Sequence, residues 1–387
     1  MTAQPTGPLG DALARLPLVP RKHALAAPLD KRVQRLTELA QQATDTENPT
    51  TATSVHNLAA LLASDRGLPD LARVLCLNHA RLYLAHRPLA ADHARRALEP
   101  LVNLAHLDIR AGNGIAALAI LDELLRAVAD NDDATLVGGL VVPLAGLTAN
   151  SADRGDVHEW LNGIWVFDGA RALVRAGRWA DAHLHLKQST APGDRLFEAR
   201  QVAAVAMALE GRTALARALA RDTAAEEPWE HAVAAALTTA CTLLDGDPAA
   251  EQTEALLRTH AAVTPRDGSA VFDTRLALTV ADLATAAGQL PHAARVYITA
   301  VAQTLAEPEG YSARDLERHR LADGLPAEQR RQLAAIAADS GVGGPDTLTT
   351  DHDDRITAAL ALAAAVITNA AAKSLSPSRT VSPWHVY

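Results

Sequence analysis

Aromatic residues make up only 3% of this 387-residue chain, and methionine and cysteine occur twice each. A core poor in large rings must pack through Ala, Leu and Val, and alanine also favours the helix because it has no side-chain entropy to lose there. The two thiols, Cys76 and Cys241, lie 165 positions apart in helical apolar patterns. They exclude a disulfide framework and read as buried, inert groups in a reducing cytoplasm. Lysine is confined to Lys22, Lys31, Lys187 and Lys373, with arginine at every other basic position; this Arg and Ala bias resembles that of high-GC actinobacterial proteins. An excess of positive charge is missing as well. The net charge of −9 argues against a surface that tracks nucleic-acid phosphates, because such surfaces concentrate Lys and Arg on one face.

Long apolar runs and catalytic signatures are equally scarce. Residues 134–152 are uncharged up to their end but broken by Gly138, Gly139 and Pro143, and residues 356–372 are short and mostly alanine, so no membrane span is expected. No apolar run near the N-terminus reads as a signal peptide. There is no GxxxxGK[ST] loop, HExxH, G-x-S-x-G elbow or paired CxxC. Gly112, Gly114 and Ala117 match a G-x-G-x-x-A fingerprint, yet a helical pattern precedes them where a dinucleotide site needs a strand. His183 and His185 are two apart on a helix and point different ways, which does not suit a metal pair. The cluster Asp351, His352, Asp353, Asp354 reads as a helix start, its acids suiting the positive end of the helix dipole. These observations lead to a non-enzyme with no cofactor and no metal.

What the chain does have is a recurring spacing. Ala170 stands seven residues before Gly177 and Ala182 five after it, where two antiparallel helices would approach most closely around a glycine turn. The same pattern returns as Ala60, Gly67, Ala72; Ala105, Gly112, Ala117; Ala204, Gly211, Ala216; and Ala281, Gly288, Ala293, with a degenerate copy around Gly246 that has Thr239 and Glu251. Gly177 to Gly211 spans 34 residues and Gly211 to Gly246 spans 35, against a 34-residue period for helix–turn–helix repeats. An apolar residue follows nine after the glycine at Cys76, Leu121, Leu186, Ala220 and Tyr297, and Trp179 stands two after Gly177. Over residues 55–305 this resembles the tetratricopeptide repeat family. It departs from the family pattern in glycine spacings of 45, 65 and 42 residues, and in having alanine twelve after the glycine only at Ala300. The resemblance implies an all-α, right-handed solenoid of helical hairpins.

Read in order, residues 1–29 carry five prolines, Pro5, Pro8, Pro17, Pro20 and Pro28, and are expected to form an extended arm. Asp30 is expected to cap the first helix, and Pro49 with the threonines after it to form a linker. The repeat domain is expected over residues 30–305. Its 65-residue interval holds an insertion, about residues 130–155, in which apolar β-branched runs flank Gly138 and Gly139 and predict a small β-hairpin with Pro143 limiting the second strand. Residues 306–373 are expected to form a helical cap over the last repeat, and residues 374–387, with Trp384 and Tyr387, a disordered tail.

One arrangement points to a binding role. Nine, six and two residues before Gly112 stand Asn103, His106 and Arg110; at the same offsets before Gly177 stand Asp168, Arg171 and Arg175. Steps of three and four place each triple on one helical face. Other repeats are mainly apolar there, as at Leu58, Leu61, Val202, Val205 and Leu209. The resemblance implies that this face lines a concave groove that holds a partner, although the lysine and asparagine clamp of carboxylate-binding members is not reproduced. Two arginines suit a carboxylate or phosphate through forked hydrogen bonds; equally, Asp168 can neutralise an arginine across the stack, making the six residues a salt-bridge network. The expected function is a protein- or peptide-binding scaffold without nucleic-acid or membrane partners, with a small-molecule sensor or accessory subunit of a biosynthetic enzyme or regulator as the alternative. Oligomeric state is not readable from these residues.

Overall fold

Gly67, Gly112, Gly177, Gly211, Gly246 and Gly288 all have positive φ, between 73° and 85°, and each stands just past the end of a helix. In every case the next residue donates its N–H to the carbonyl five back: Leu68 to Ala63, Asn113 to Asp108, Arg178 to Leu173, Arg212 to Met207, Asp247 to Thr242 and Gln289 to Ala284, at 2.8 to 3.1 Å. This closes the helix end with the left-handed residue that a side chain disfavours. The ten alanines at the −7 and +5 positions are all buried, none more than 5% exposed.

The computed structural model describes residues 5–21, 25–189, 193–342, 344 and 349–374. Two helices lead in, α1 (Gly7–Ala14) and α2 (Leu29–Thr46). Helix pairs follow: α3 (Pro49–Asp65) with α4 (Pro69–Leu84), α5 (Ala91–Ala111) with α6 (Gly114–Asp130), α7 (Ser151–Arg175) with α8 (Trp179–Ser189), and α9 (Glu198–Leu209) with α10 (Thr213–Arg221). The series continues with α11 (Pro228–Leu244) and α12 (Ala250–Ala261), α13 (Ala270–Ala286) and α14 (Leu290–Ala306), and α15 (Gly310–Glu317) and α16 (Ala327–Asp339); α17 (Thr350–Ser374) ends it. The protein is all-α apart from one two-stranded antiparallel sheet among the described residues. The second helix of each pair packs on the first helix of the next, and the first helices of successive pairs also touch, as α3 with α5, α5 with α7, α9 with α11, α11 with α13 and α13 with α15. Leu118 and Trp165 link a core cluster built on α2–α7 and α17 to a second one built on α7–α13, and Val296 links that to a third under α14–α16.

The expected hairpin is present: β1 (Ala134–Leu136) pairs with β2 (Leu140–Val142) in the register Ala134 to Val142, and Gly138 and Gly139 turn it at positive φ. Pro143 lies just beyond β2, where its missing N–H breaks no ladder bond. Ala134, Leu136, Val142, Leu144 and Leu147 join the first core cluster, while Glu123 of α6 accepts from the Thr135 N–H at 2.6 Å. The free thiols of Cys76 and Cys241 are buried, and burial pushes both up to about 12.

Several expectations need correction. The N-terminal arm is not extended throughout, because Pro8 falls in the first turn of α1, where a missing N–H leaves no bond unmade. Pro49 starts α3 for the same reason. Asn48 caps it by accepting from the N–H groups of Thr50 and Thr51, so no linker exists there, and Asp30 lies in the first turn of α2 rather than at its cap. Most consequential is α17, which does not cover the last repeat. It packs on α2, α3 and α4, with Ala359, Ala363, Val366, Ile367 and Ala371 in the first core cluster. His352 in its first turn meets Asp30 of α2 at 2.5 Å. By length and composition α17 passes as a membrane-spanning helix, which the shorter apolar run read from the sequence did not suggest. The tail expected at residues 374–387 lies outside the described residues except for the helical backbone of Ser374.

Two glycines inside α7 give opposite expectations. A Cβ at Gly163 would meet open space, whereas one at Gly169 would stand 2.7 Å from the His185 ring nitrogen, which itself sits 3.0 Å from the Trp165 carbonyl. Gly163→Ala should therefore stabilise the protein by about 0.5–1 kcal/mol through helix propensity. Gly169→Ala should destabilise it by about 1–3 kcal/mol through overpacking. Urea unfolding of both variants checks the two signs.

Candidate functional site

The six residues singled out on α5 and α7 do not act as one set. Four of them enter a polar chain that crosses successive first helices. Asn103 donates to Asn57 of α3 at 3.2 Å and faces His106 through its oxygen at 3.3 Å. The other ring nitrogen of His106 meets Asp168 at 2.8 Å, and Asp168 accepts in turn from Arg171. Arg171 then forks onto Glu198 of α9, Nε to Oε1 at 2.8 Å and Nη2 to Oε2 at 3.1 Å. Arg110 belongs to a separate cluster, reaching Asp65 of α3 at 3.2 Å and Ser64 at 3.3 Å. Arg175 is exposed and has no ion-pair partner among the described residues. The forked donors expected to take a ligand anion are thus largely engaged by carboxylates of the chain itself.

Why the helices carry these groups is visible in their burial. Asp65 is 2% exposed at its side chain and takes three donors, Arg110, Arg32 of α2 at 2.5 Å and the Tyr311 hydroxyl of α15 at 2.6 Å. Burial and the adjacent Asp65 charge push the Tyr311 hydroxyl well up. Burial alone would raise the Asp168 carboxyl. The hydrogen bond and charge of His106, with the guanidinium charges of Arg171 and Arg21, outweigh it and hold Asp168 below the usual carboxylate range.

The sequence did not point to the residues that extend this chain, because their partners lie in the proline-rich arm. Arg21 reaches Glu198 at 2.5 Å, and the Leu18 N–H and C=O are both bonded to the Gln201 side chain of α9 at 2.7 Å. Arg15 meets Asp282 of α13 at 2.6 Å, and the Ala26 N–H meets Glu309, the cap of α15, at 2.9 Å. A signal was available in Asp282, a lone charge inside the apolar stretch of residues 276–287. It is fully buried, and His319 and Arg320 also face it.

Among the described residues no three His, Cys, Asp or Glu side chains are grouped at metal-binding geometry. Stacked His56 and His79, ring centroids 4.8 Å apart, are pushed by burial down to about 4 and about 3, so both are neutral core groups at pH 7. Two cavities, beside Pro20, Trp229 and Phe272 and beside His260, Leu276 and Val296, hold about 20 and 60 Å³, room for one to a few waters. Accessible surface lies instead along α7, where Trp160, Ile164, Phe167 and Arg171 follow one another in steps of four, three and four, with open space over Gly163. Phe167 is 42% exposed, and the side chains of His106 and Arg110 are 42% and 48% exposed.

A carboxylate held below its unfolded value stabilises the fold above about pH 4 and loses that contribution as the pH falls through the lowered value. Asp168→Asn should therefore cost about 1–3 kcal/mol at pH 7. The gap to the unsubstituted chain should stay constant down to about pH 5 and narrow below about pH 4, as followed by urea unfolding across that range. No family model matches the chain, and no curated protein is significantly similar to it.

Proposed function

We propose that the protein is a non-catalytic binding module, a right-handed solenoid of tetratricopeptide-like hairpins whose first helices together grip an extended stretch of polypeptide. Five glycine-turned hairpins with alanine seams, and a sixth at Gly246 without them, support the repeat reading, since each pair packs on the next. The observation that carries the binding reading is Gln201, whose amide takes both the N–H and the C=O of Leu18, reading a peptide backbone without regard to its side chain. Helices of four pairs, α9, α11, α13 and α15, bond or pack against the same N-terminal segment, so this face already holds a peptide in cis.

The partner's segment docks on the part of that face the arm leaves open, over α5 and α7. Phe167, Ile164 and Trp160 offer apolar contact there, and His106, Arg110 and Arg175 offer polar contact beside it. Exposed aromatic and arginine side chains are the residue types that anchor protein interfaces. The small cavities give no comparable support to a small-molecule sensor.

Selection of a random twelve-residue peptide library against the full chain tests this reading. The expected result is a binding consensus whose affinity falls at least tenfold in the His106→Ala/Arg110→Ala chain, with the far-ultraviolet circular dichroism unchanged. A library that returns no binder, or binders indifferent to both substitutions, contradicts it.

A further inference from the structure

We infer that residues 11–21, the last turn of α1 and the extended stretch after it, occupy in cis a second peptide site on α9 and α13, and that this site takes in trans a segment of the same chemistry, two arginines six residues apart with buried leucines between them. The inference rests on the segment-binding reading above and adds a ligand class and an occupant that must leave.

Each group of the site has a partner in the helical body, Arg171 for Glu198, His319 and Arg320 for Asp282 and the Leu196 carbonyl for Gln201, and takes a further one from the arm. Gln201 and Asp282 have no measurable exposure and Glu198 has 7%; Asp282 lies between Ala281 and Leu283, while Glu198 and Gln201 share the first turn of α9 with Arg200. A polar group buried this deeply needs a partner. Leu18 supplies backbone to Gln201, while Arg15 and Arg21 supply charge to Asp282 and Glu198. Between the arginines Leu16 and Leu18 are buried at 4% and 3% exposure, and Pro17 and Pro20 favour an extended chain. A competing segment must reproduce the same three contacts, which is what restricts its class.

The mode of attachment suits exchange. Between residues 17 and 25 the arm's backbone bonds are those to Gln201, with none to a helix ladder or a strand among the described residues. Arg21 keeps 43% of its side chain exposed, so a competitor can engage Glu198 from that end first. The hairpins beneath also pack directly on one another, while Ala12, Leu13, Leu16 and Leu18 of the arm join the second core cluster. Local opening of a segment held in this way is expected well before global unfolding.

Two measurements on the full chain test the inference. In the unsubstituted protein, amide hydrogen exchange at Leu18 should run at least a hundredfold faster than at the most protected amides of α9 and α11. A fluorescent peptide of residues 11–21 should bind the Arg15→Ala/Arg21→Ala chain at least tenfold more tightly than the unsubstituted one, and adding Gln201→Ala should abolish that gain. Exchange at Leu18 that occurs only with global unfolding overturns the inference, as does equal or absent peptide binding by the two chains. The exchange result does not depend on whether any variant folds. Failure here leaves the α5–α7 reading standing, because that is read through His106 and Arg110.

Discussion

A carboxylate drawn into a helix-lined interior must bring a positive or hydrogen-bonding partner with it, because desolvation costs more than an unpaired charge returns. Among those that this chain buries on first helices are Asp65, Asp168, Glu198 and Asp282. Their partners come from distant parts of the sequence. Asp65 joins α2, α5 and α15; Asp168 and Glu198 join α5, α7 and α9 to the arm; Asp282 joins the arm to the segment after α15. The interior is therefore a set of coupled ion pairs, and removing one member strands the next. These pairs seat the arm, and Arg32 of α2 also donates to the Ser340 carbonyl at 3.0 Å.

The frame around those charges is simple by comparison. Alanine at the closest approach of each pair lets two helices meet with only a methyl between them, and glycine in the left-handed conformation reverses the chain without strain. A frame built in this way needs few aromatic side chains. Those present are placed at joints: Trp229 packs edge-on to Phe272 with ring centroids 5.9 Å apart, and Trp165 lies against His185 at 4.2 Å while reaching Asp122 at 2.6 Å. With the apolar seams closing the helices against each other, the first-helix faces are left to carry polarity.

Residues whose role is local could be read directly. Gly67, Gly112, Gly177, Gly211 and Gly288 declared the bends because a turn of this kind requires positive φ and flanking small residues at fixed offsets, and Gly138 with Gly139 declared the hairpin. Even the degenerate Gly246 bends as the others do, since Thr239 is small enough to be buried. Long-range pairing was not readable. Nothing local to Arg15 or Arg21 says that Asp282 and Glu198, 267 and 177 residues away, will meet them. A run of prolines looks like an arm whether or not it is seated. The same limit applies to α17, whose alanine-rich face fits α2 and α3 as well as it would fit a last repeat, and to Arg171, whose fork was visible but not the Glu198 that fills it.

A double-mutant cycle between Arg15→Ala and Asp282→Asn, read by urea unfolding of the full chain, addresses the seating of the arm by buried charge most directly. A charge-assisted contact with one fully buried partner should give a coupling energy of about 1.5–3 kcal/mol. Coupling within about 0.3 kcal/mol of zero would mean that the arm does not rest on the first helices in solution, and would contradict the account at its base.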